Sequence, residues 1–215
     1  MQATVEAGKR RAGQRLRGEV NVDRLVAEGL RLGQRVYIGR GVVFDTGHPW
    51  LIDVGDDCVI TAGTIVLAHD ASTRSSTGCT RIARTTIGKR VFVGAGAVIL
   101  AGARIGDDCI VGALTVVRGE IPPGSIVVGN PGSIVADVAS FGERHRQAVA
   151  RGPVWPHSGW MSGLGITEAR KLEQRDALAG GVSGYLRAAA ARPEEVEPVD
   201  SEHASAPTTP PRPGP

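Results

Sequence analysis

The chain has 215 residues, of which 41% are hydrophobic and only 4% aromatic, and its formal net charge is +3. It is long enough to bury one core, but so few aromatic residues argue against a conventional α/β or orthogonal-sandwich core. Its three cysteines lack Cys-x-x-Cys spacing, which argues against a zinc knuckle and a disulfide framework. Because there is no 18-residue apolar run and no apolar signal-peptide core at the N-terminus, we expect a soluble, cytoplasmic protein without stable membrane insertion.

Charge and proline are concentrated at the two ends of the chain. Residues 1–35 hold eight Lys or Arg against four Asp or Glu, and 193–215 hold one against five, together with seven of the thirteen prolines. We expect 1–20 to be a flexible basic N-terminus and 193–215 a disordered Pro-rich tail. A basic segment can meet nucleic acid, but no interleaved aromatics or nucleic-acid motif accompany it, so no nucleic-acid partner is expected.

The first predicted element is a short helix over 21–30, "NVDRLVAEGL". Leu25, Val26 and Leu30 are expected on one helical face, and Gly29 lies near the helix end. This helix is suited to covering the end of the repeats that follow it.

A six-residue period begins after this helix and dominates the middle of the chain. From Ile87 the sequence reads IGKRVF, VGAGAV, ILAGAR, IGDDCI, VGALTV, VRGEIP. Position one is always aliphatic, position two is Gly in four of the six units, and position five is always small or β-branched. Upstream, the period is marked by Leu32, Ile38, Phe44, Val54, Ile60 and Val66, with a slip of four residues around "TGHPWL".

A six-residue period fits neither an α-helix nor a simple hairpin, but it fits a short strand and a turn repeated as a parallel β-helix. Three units make one triangular coil, so Ile87 is expected to stack on Ile105. Glycine at position two fits a sharp turn or a positive φ, and the small fifth residue fits a corner.

The period is interrupted once more, between residues 69 and 86. Val66 and Ile87 are 21 residues apart, three units plus three residues, so the segment inserts without destroying the register. The interruption places His69 at the end of an apolar run, beside a polar extruded loop.

After residue 135 the period ends and helical patterns follow. The segment "VASFGERHRQAVARG" ends at Gly152 and Pro153, and Thr167 is placed to N-cap "EARKLEQRDALA". The organisation expected is thus an all-β repeat domain over 21–135 with a short N-terminal helical cap, and a helical arm over 136–192.

The hexads, the "LAHDAST" segment and the closing "VVRGEIPPGSIVVGNPGSIV" together resemble the hexapeptide-repeat acyltransferases, which include galactoside, maltose, serine and xenobiotic acetyltransferases. The likeness is greatest to the branch that acylates sugars of bacterial surface polysaccharides. It covers residues 22–135 strongly, and "GWMSGLGITEARK" more loosely.

The resemblance implies a left-handed parallel β-helix, a homotrimer with active sites between subunits, and acyl-CoA, as acetyl-CoA or a longer thioester, in the groove between neighbours. It also implies a histidine general base beside the extruded loop, which is His69 here. Imidazole suits the transfer of an acyl group from a thioester to a sugar hydroxyl because its ordinary pKa is near neutral. No metal is expected, and direct transfer is favoured over an acylated Cys79.

For the donor, the resemblance places pantetheine along the backbone of Ala95 and Ala113, and Arg118 is a candidate for a coenzyme A phosphate. Family members often carry a basic residue after the Asn-Pro pair, whereas this chain has Gly132 and Ser133. Arg144 and Arg146 are the candidates to replace that contact with the 3′-phosphate.

For the acceptor, Asp45 and His48 are candidates to line the pocket, although His48 equally fits a structural role in the slip before Pro49. Asp70 either orients a group or caps the loop. Ser72 and Arg74, with Thr73 and Thr77, suit sugar hydroxyls.

The aromatic segment "PVWPHSGW" contains Trp155 and Trp160 and has two interpretations. In one, these residues anchor the C-terminal arm on the repeat domain. In the other, Trp160 stacks on the acceptor sugar of a neighbouring subunit.

Two other functions remain open on the same scaffold. A γ-carbonic-anhydrase-like site needs three imidazoles with a closely spaced pair, but His48 and His69 are the only histidines in the repeats and are 21 residues apart. A non-catalytic β-helix scaffold would need neither His69 nor the extruded loop.

Overall fold

The computed structural model describes residues 21–187, so the expected basic N-terminus at 1–20 and Pro-rich tail at 193–215 lie outside the described residues. The chain divides into two compact units, the first ending at Gln147 and the second beginning at Ala148. Within the described part of the chain, no helix has the length and apolar character needed to cross a bilayer.

The first unit consists mainly of very short strands. In the first two coils these are β1 (Arg31–Leu32), β2 (Tyr37–Ile38), β3 (Val43–Phe44), β4 (Ile52–Val54), β5 (Val59–Ile60) and β6 (Ile65–Val66). The insert contributes β7 (His69–Asp70) and β8 (Arg81–Ile82). The later strands are β9 (Thr85–Ile87), β10 (Phe92–Val93), β11 (Val98–Ile99), β12 (Arg104–Ile105), β13 (Ile110–Val111), β14 (Val116–Val117), β15 (Glu120–Ile121), β16 (Ser125–Val128) and β17 (Ser133–Asp137).

These strands form three sheets, one for each side of the coil. Sheet A has the order β1-β4-β9-β12-β15, sheet B the order β17-β16-β13-β10-β5-β2, and sheet C the order β14-β11-β6-β3. Neighbouring strands are parallel, except that β17 returns antiparallel beside β16. The predicted parallel β-helix of hexapeptide units is therefore present.

The strand register confirms both interruptions. Ile87 pairs with Ile105, 18 residues on, as predicted for a regular coil. Val43 pairs with Ile65, 22 residues on, because the slip adds four residues. Ile65 in turn pairs with Val98, 33 residues on, because the insert adds fifteen.

The core consists of the side chains that the period places inward. All position-one residues of the six later units are buried: Ile87, Val93, Ile99, Ile105, Val111 and Val117. The position-five residues are also buried: Val91, Ala97, Ala103, Cys109, Thr115 and Ile121. Small side chains at position five let the corners close while aliphatic side chains fill the centre.

Glycine at position two allows neighbouring coils to approach closely. Of the two conformations considered for this position, positive φ is wrong. A Cβ on Gly88 would lie 2.7 Å from the backbone N of Asp107, and one on Gly94 would lie 2.4 Å from the backbone N of Ala113. Positive φ occurs instead at position four, in Gly96, for example, at 68°. The turn is therefore made two residues after the glycine that faces the next coil.

At one corner, position four is occupied by charged residues with positive φ. Arg35, Asp57, Arg90 and Asp108 occupy this position in successive coils, with φ between 54° and 58°. Arg35 and Arg90 each donate two hydrogen bonds to the aspartate of the next coil, at 2.5–2.7 Å. These ion pairs link neighbouring coils at this corner.

Helix α1 (Val22–Ala27) precedes the first coil and has Asn21 as its N-cap. Leu25 and Leu30 are buried in the core, as predicted, but Val26 is 40% exposed, so its placement on the buried face was wrong. Adjacent residues on a helix point about 100° apart, and Leu25 takes the inward direction.

Three more α-helices follow among residues 21–187. Helix α2 (Arg74–Thr77) lies in the insert, and α3 (Val138–Arg151) ends directly before Gly152. Helix α4 (Glu168–Ala177), in the second unit, has Thr167 as its N-cap, as predicted. The second unit also contains β18 (Val154–Trp155) paired with β19 (Tyr185–Leu186).

Candidate active site

The site is built around Asp45, the first residue after β3. Its carboxylate is buried, and Oδ1 accepts hydrogen bonds from the backbone N–H of Gly47 at 2.9 Å and of His48 at 3.2 Å. Oδ2 accepts one from the backbone N–H of Ala68, in the next coil, at 2.9 Å. These bonds hold the carboxylate in place across two coils.

His69 completes the pair. Its Nδ1 lies 2.5 Å from Oδ2 of Asp45, and its side chain is 40% exposed whereas that of Asp45 is fully buried. A buried carboxylate therefore fixes one ring nitrogen while the other edge of the ring faces outward. This pairing is new relative to the sequence interpretation, which gave Asp45 an acceptor-lining role.

The charge of Asp45 follows from two opposing effects. Burial by itself would raise the pKa of the carboxyl, but the hydrogen bonds from Ala68, His69 and Gly47 more than offset this, so the pKa lies below its ordinary value. Asp45 is thus a carboxylate at neutral pH. Because a carboxylate can only accept a hydrogen bond, Nδ1 of His69 carries the hydrogen and donates it, which leaves the lone pair of the neutral ring on Nε2.

His48 lies beside this pair. Its ring centroid is 5.6 Å from that of His69 and 5.5 Å, edge-on, from that of Trp50. The Nδ1 of His48 is buried and has no hydrogen-bond partner among residues 21–187. Trp50, which the sequence interpretation passed over, is 51% exposed next to these imidazoles.

The slip explains why these residues meet. Pro49–Leu51 forms a 3-10 helix directly after His48, and β4 resumes the coil at Ile52. The four additional residues therefore lie at the corner where Asp45 leaves sheet C. The proline and the aromatic side chain of the slip were visible in the sequence, but the partner of Asp45 was not.

The insert leaves and re-enters the coil at neighbouring points. Strand β7, which includes His69, pairs antiparallel with β8. The N–H of Ala83 donates to the carbonyl of Ala68 at 2.9 Å. Asp70 accepts from the N–H of Ser72 at 2.9 Å and thereby caps the following turn, the second of the two roles considered for it. Arg74 begins α2 and is exposed, as is Ser72.

The residues expected to bind the donor lie at two corners. Ala95 and Ala113 are exposed at equivalent positions of successive coils, and the N–H of Leu114 donates to the carbonyl of Ala95. Both lie between sheets B and C. Arg118 is exposed directly after β14, at the corner after sheet C where His69 also lies, two coils further on.

Trp160 lies in the second unit. Its ring centroid is 5.8 Å from that of Trp155, and the guanidinium carbon of Arg170 lies 5.2 Å from its centroid. Trp155 is buried, with Gly184 against its ring. The two roles considered for Trp160 both remain predictions.

Comparison with known proteins identifies the family of the repeats. Residues 84–119 match the family model "Bacterial transferase hexapeptide (six repeats)", and residues 29–68 match "Hexapeptide repeat of succinyl-transferase". The Bacillus subtilis (strain 168) protein "Putative acetyltransferase YvoF" is 32% identical over 119 residues, which cover 55% of this chain and 67% of that protein. The chain belongs to the hexapeptide-repeat acyltransferases.

Other proteins match over different shares of their length. The serine acetyltransferase of Mycobacterium tuberculosis (strain H37Rv) is 35% identical over 108 residues, which cover 50% of this chain but only 43% of that protein. Among solved structures, a maltose O-acetyltransferase from Clostridium difficile 630 is 25% identical, with a TM-score of 0.44, and the match covers 54% of this chain and 73% of the other.

Proposed function

We propose that this acyltransferase moves an acyl group, in the first instance acetyl, from acyl-CoA to a hydroxyl of a sugar or glycan precursor, with His69 as the general base. The observation that carries the proposal is the hydrogen bond between Asp45 and His69. It selects the tautomer in which Nε2 can accept a proton, on the exposed side of the ring.

The reaction needs one proton acceptor and no covalent enzyme intermediate. Nε2 of His69 takes the proton of the acceptor hydroxyl as the hydroxyl oxygen attacks the thioester carbonyl carbon. The tetrahedral intermediate collapses, the carbon–sulfur bond breaks, and His69 returns the proton to the coenzyme A thiolate. Asp45 does not contact the substrates and acts as a positioning residue that also stabilises the transient imidazolium.

A sugar acceptor is supported by the side chains around the base. The exposed ring of Trp50 offers a flat apolar face of the kind that stacks on the C–H face of a sugar. Ser72 and Arg74 add polar groups on the insert, and Asp70 holds the turn that presents them. We keep His48 and Trp160 as acceptor-contact candidates.

A second acceptor is favoured by a specific comparison. The similarity to a serine acetyltransferase of Mycobacterium tuberculosis makes the hydroxyl of L-serine the alternative to a sugar. Both acceptors would use the same base, so they differ only in the groups that recognise the rest of the molecule.

We further propose a left-handed coil and a homotrimer. The outward residues of sheets B and C are apolar, among them Tyr37, Phe92 and Val43, whereas sheet A presents ion pairs such as Arg104–Glu120. Two apolar faces on one subunit suit a head-to-tail ring, in which each face meets a different face of the neighbour. Ala95 and Ala113 of one subunit would then flank acyl-CoA together with Arg118. We also propose that the protein is located in the cytoplasm.

The test is release of coenzyme A, followed with a thiol reagent. Acetyl-, butyryl- and octanoyl-CoA are each offered with a panel of sugars and with L-serine, beside His69→Gln, whose fold is checked by circular dichroism. Turnover that requires both His69 and a sugar supports the proposal. Turnover with L-serine alone would replace the acceptor, and turnover that persists in His69→Gln would contradict the role of the base.

A further inference from the structure

Three potential metal ligands converge at the corner of the site. One side-chain atom of each of Asp45, His48 and His69 lies within 4.8 Å of the corresponding atoms of the other two. Asp45 and His48 come from the slip, and His69 comes from the next coil, so one subunit supplies all three.

We propose that Asp45, His48 and His69 form a binding site for a zinc ion that inhibits the enzyme by occupying its base. The ion is a competitor of the reaction and not a cofactor. The ligand set differs from the three imidazoles of a γ-carbonic-anhydrase-like site, because it combines two imidazoles with a carboxylate.

The first argument is that the site has one fixed ligand and one unsatisfied ligand. Asp45 is held by the backbone N–H groups of Gly47, His48 and Ala68, so its oxygens stay in place when a neighbouring side chain moves. The Nδ1 of His48 is buried without a hydrogen-bond partner among the described residues. A buried nitrogen without a partner is destabilising, and the ring of His48 can turn without breaking a hydrogen bond at Nδ1.

The second argument is the distance. Tetrahedral zinc with bonds of about 2.1 Å places its ligand atoms about 3.4 Å apart. Because the three atoms lie within 4.8 Å of one another, no pair has to close in by more than about 1.4 Å. If His69 binds the ion through Nδ1, its 2.5 Å contact with Asp45 widens by about 0.9 Å. Rotation of the His48 and His69 side chains against the fixed carboxylate supplies a movement of that size.

The third argument is chemical preference. Two imidazole nitrogens and one carboxylate oxygen are ordinary zinc ligands, and the exposed side of His69 leaves the fourth position to water. Magnesium and calcium prefer oxygen ligands and should not compete.

Inhibition follows from which lone pairs the ion takes. Zinc on Nε2 of His69 occupies the nitrogen that accepts the substrate proton, and zinc on Nδ1 replaces the hydrogen bond to Asp45 that sets the tautomer. Either arrangement removes the base. This consequence rests on the proposed function, whereas zinc binding itself does not.

Binding is measured first, on the full chain without an affinity tag and in a Cys79→Ser background, because the exposed Cys79 thiol is an independent zinc ligand. Titration against a chromophoric chelator should give one zinc per chain. His48→Gln should weaken binding at least tenfold, while His157→Gln, a histidine of the second unit, should leave it unchanged. Cobalt(II) added in place of zinc should give visible d–d absorption that is lost in His48→Gln, with circular dichroism checking that the variant is folded.

Activity is measured second. Zinc should inhibit coenzyme A release with a midpoint that matches the binding constant, EDTA should restore turnover, and magnesium should do neither. The proposal is overturned if folded wild-type chain binds no stoichiometric zinc, if His48→Gln binds it equally well, or if bound zinc leaves turnover unchanged. Zinc binding by a chain that releases no coenzyme A with any acceptor would contradict the proposed function and leave the metal site standing.

Discussion

Oδ2 of Asp45 lies 2.5 Å from Nδ1 of His69, although 24 residues separate them in the sequence. The β-helix brings them together because Phe44, directly before Asp45, pairs with Val66 of the next coil. Asp45 thus lies beside the chain that leads to His69, at the point where the insert leaves the coil. The pair depends on the slip and on the insert together.

Asp45→Asn should lower kcat while leaving the KM for acyl-CoA unchanged, because the amide cannot hold His69 in the required tautomer. His69→Gln should lose about 10²- to 10⁴-fold in kcat, and Asp45→Asn somewhat less. Proton NMR provides a direct check, since the Nδ1–H in the short hydrogen bond should give a far-downfield signal that Asp45→Asn abolishes. Loss of activity with that signal intact would contradict the assigned role.

Acid should destabilise the fold through its buried and paired carboxylates. The pKa of Asp45 in the folded chain lies below its value in the unfolded chain, about 3.9. Its contribution is therefore fully present above that pH and is lost as the pH falls through the folded-state pKa. Urea unfolding at several pH values from about 6 to about 3 should show a falling midpoint. The fall should be shallower in Asp45→Asn, and an equally steep fall in that variant would contradict this assignment.

Gly88→Ala should destabilise the β-helix. The added methyl group would lie 2.4 Å from Oδ1 and 2.7 Å from the backbone N of Asp107 in the next coil, so the two coils must separate. We expect a loss of about 1–3 kcal/mol in the free energy of unfolding. Gly142→Ala is the matched control, because Gly142 lies inside α3 and its Cβ meets only the Arg146 side chain, at 3.4 Å. This change should be neutral or stabilising, by up to about 1 kcal/mol.

A thiol reagent should modify one cysteine in the native chain and three after unfolding. Cys79 is exposed on the insert, whereas Cys58 and Cys109 are buried, and burial raises the pKa of both buried thiols. Cys79→Ser should abolish the fast reaction and keep acyl transfer. Loss of turnover in this variant, with its fold intact, would favour an acylated cysteine over direct transfer.

Trp50→Ala should raise the KM for a sugar acceptor and leave the KM for acyl-CoA unchanged, since the ring lies beside His48 at the acceptor side of the base. Trp160→Ala tests the other aromatic candidate. A raised acceptor KM at unchanged thermal stability would indicate contact with the sugar, whereas loss of the proposed trimer would contradict that contact. An unchanged acceptor KM in Trp50→Ala would remove the stacking role.

The coil was predictable because each strand and turn is encoded by residues that are adjacent in the sequence. Six residues carry one strand and one turn, so the position of Ile87 fixes that of Ile105 without knowledge of the remaining chain. The position of His69 at the start of the insert was also predictable, since it ends an apolar run beside a polar segment. The four residues of the slip and the fifteen of the insert could both be counted from the sequence.

The pairing of Asp45 with His69 was not predictable in the same way. It depends on the path of the slip, where Asp45 turns its carboxylate toward Ala68 of the next coil instead of toward solvent. The period also does not reveal backbone dihedral angles. Arg90 and Leu114 adopt the same positive φ as Gly96, and a sequence rule that reserves this conformation for glycine overlooks them.

The insert begins and ends beside the backbone hydrogen bond from the N–H of Ala83 to the carbonyl of Ala68. Because its two ends meet there, the coils above and below constrain where the segment is attached but not how long it is, and the entropy of closing a loop changes slowly with its length. Residues 70–82 can therefore be exchanged as a cassette. Under the proposed function, exchange of this segment changes acceptor preference, while the coils that carry Ala95, Ala113 and Arg118 keep their register.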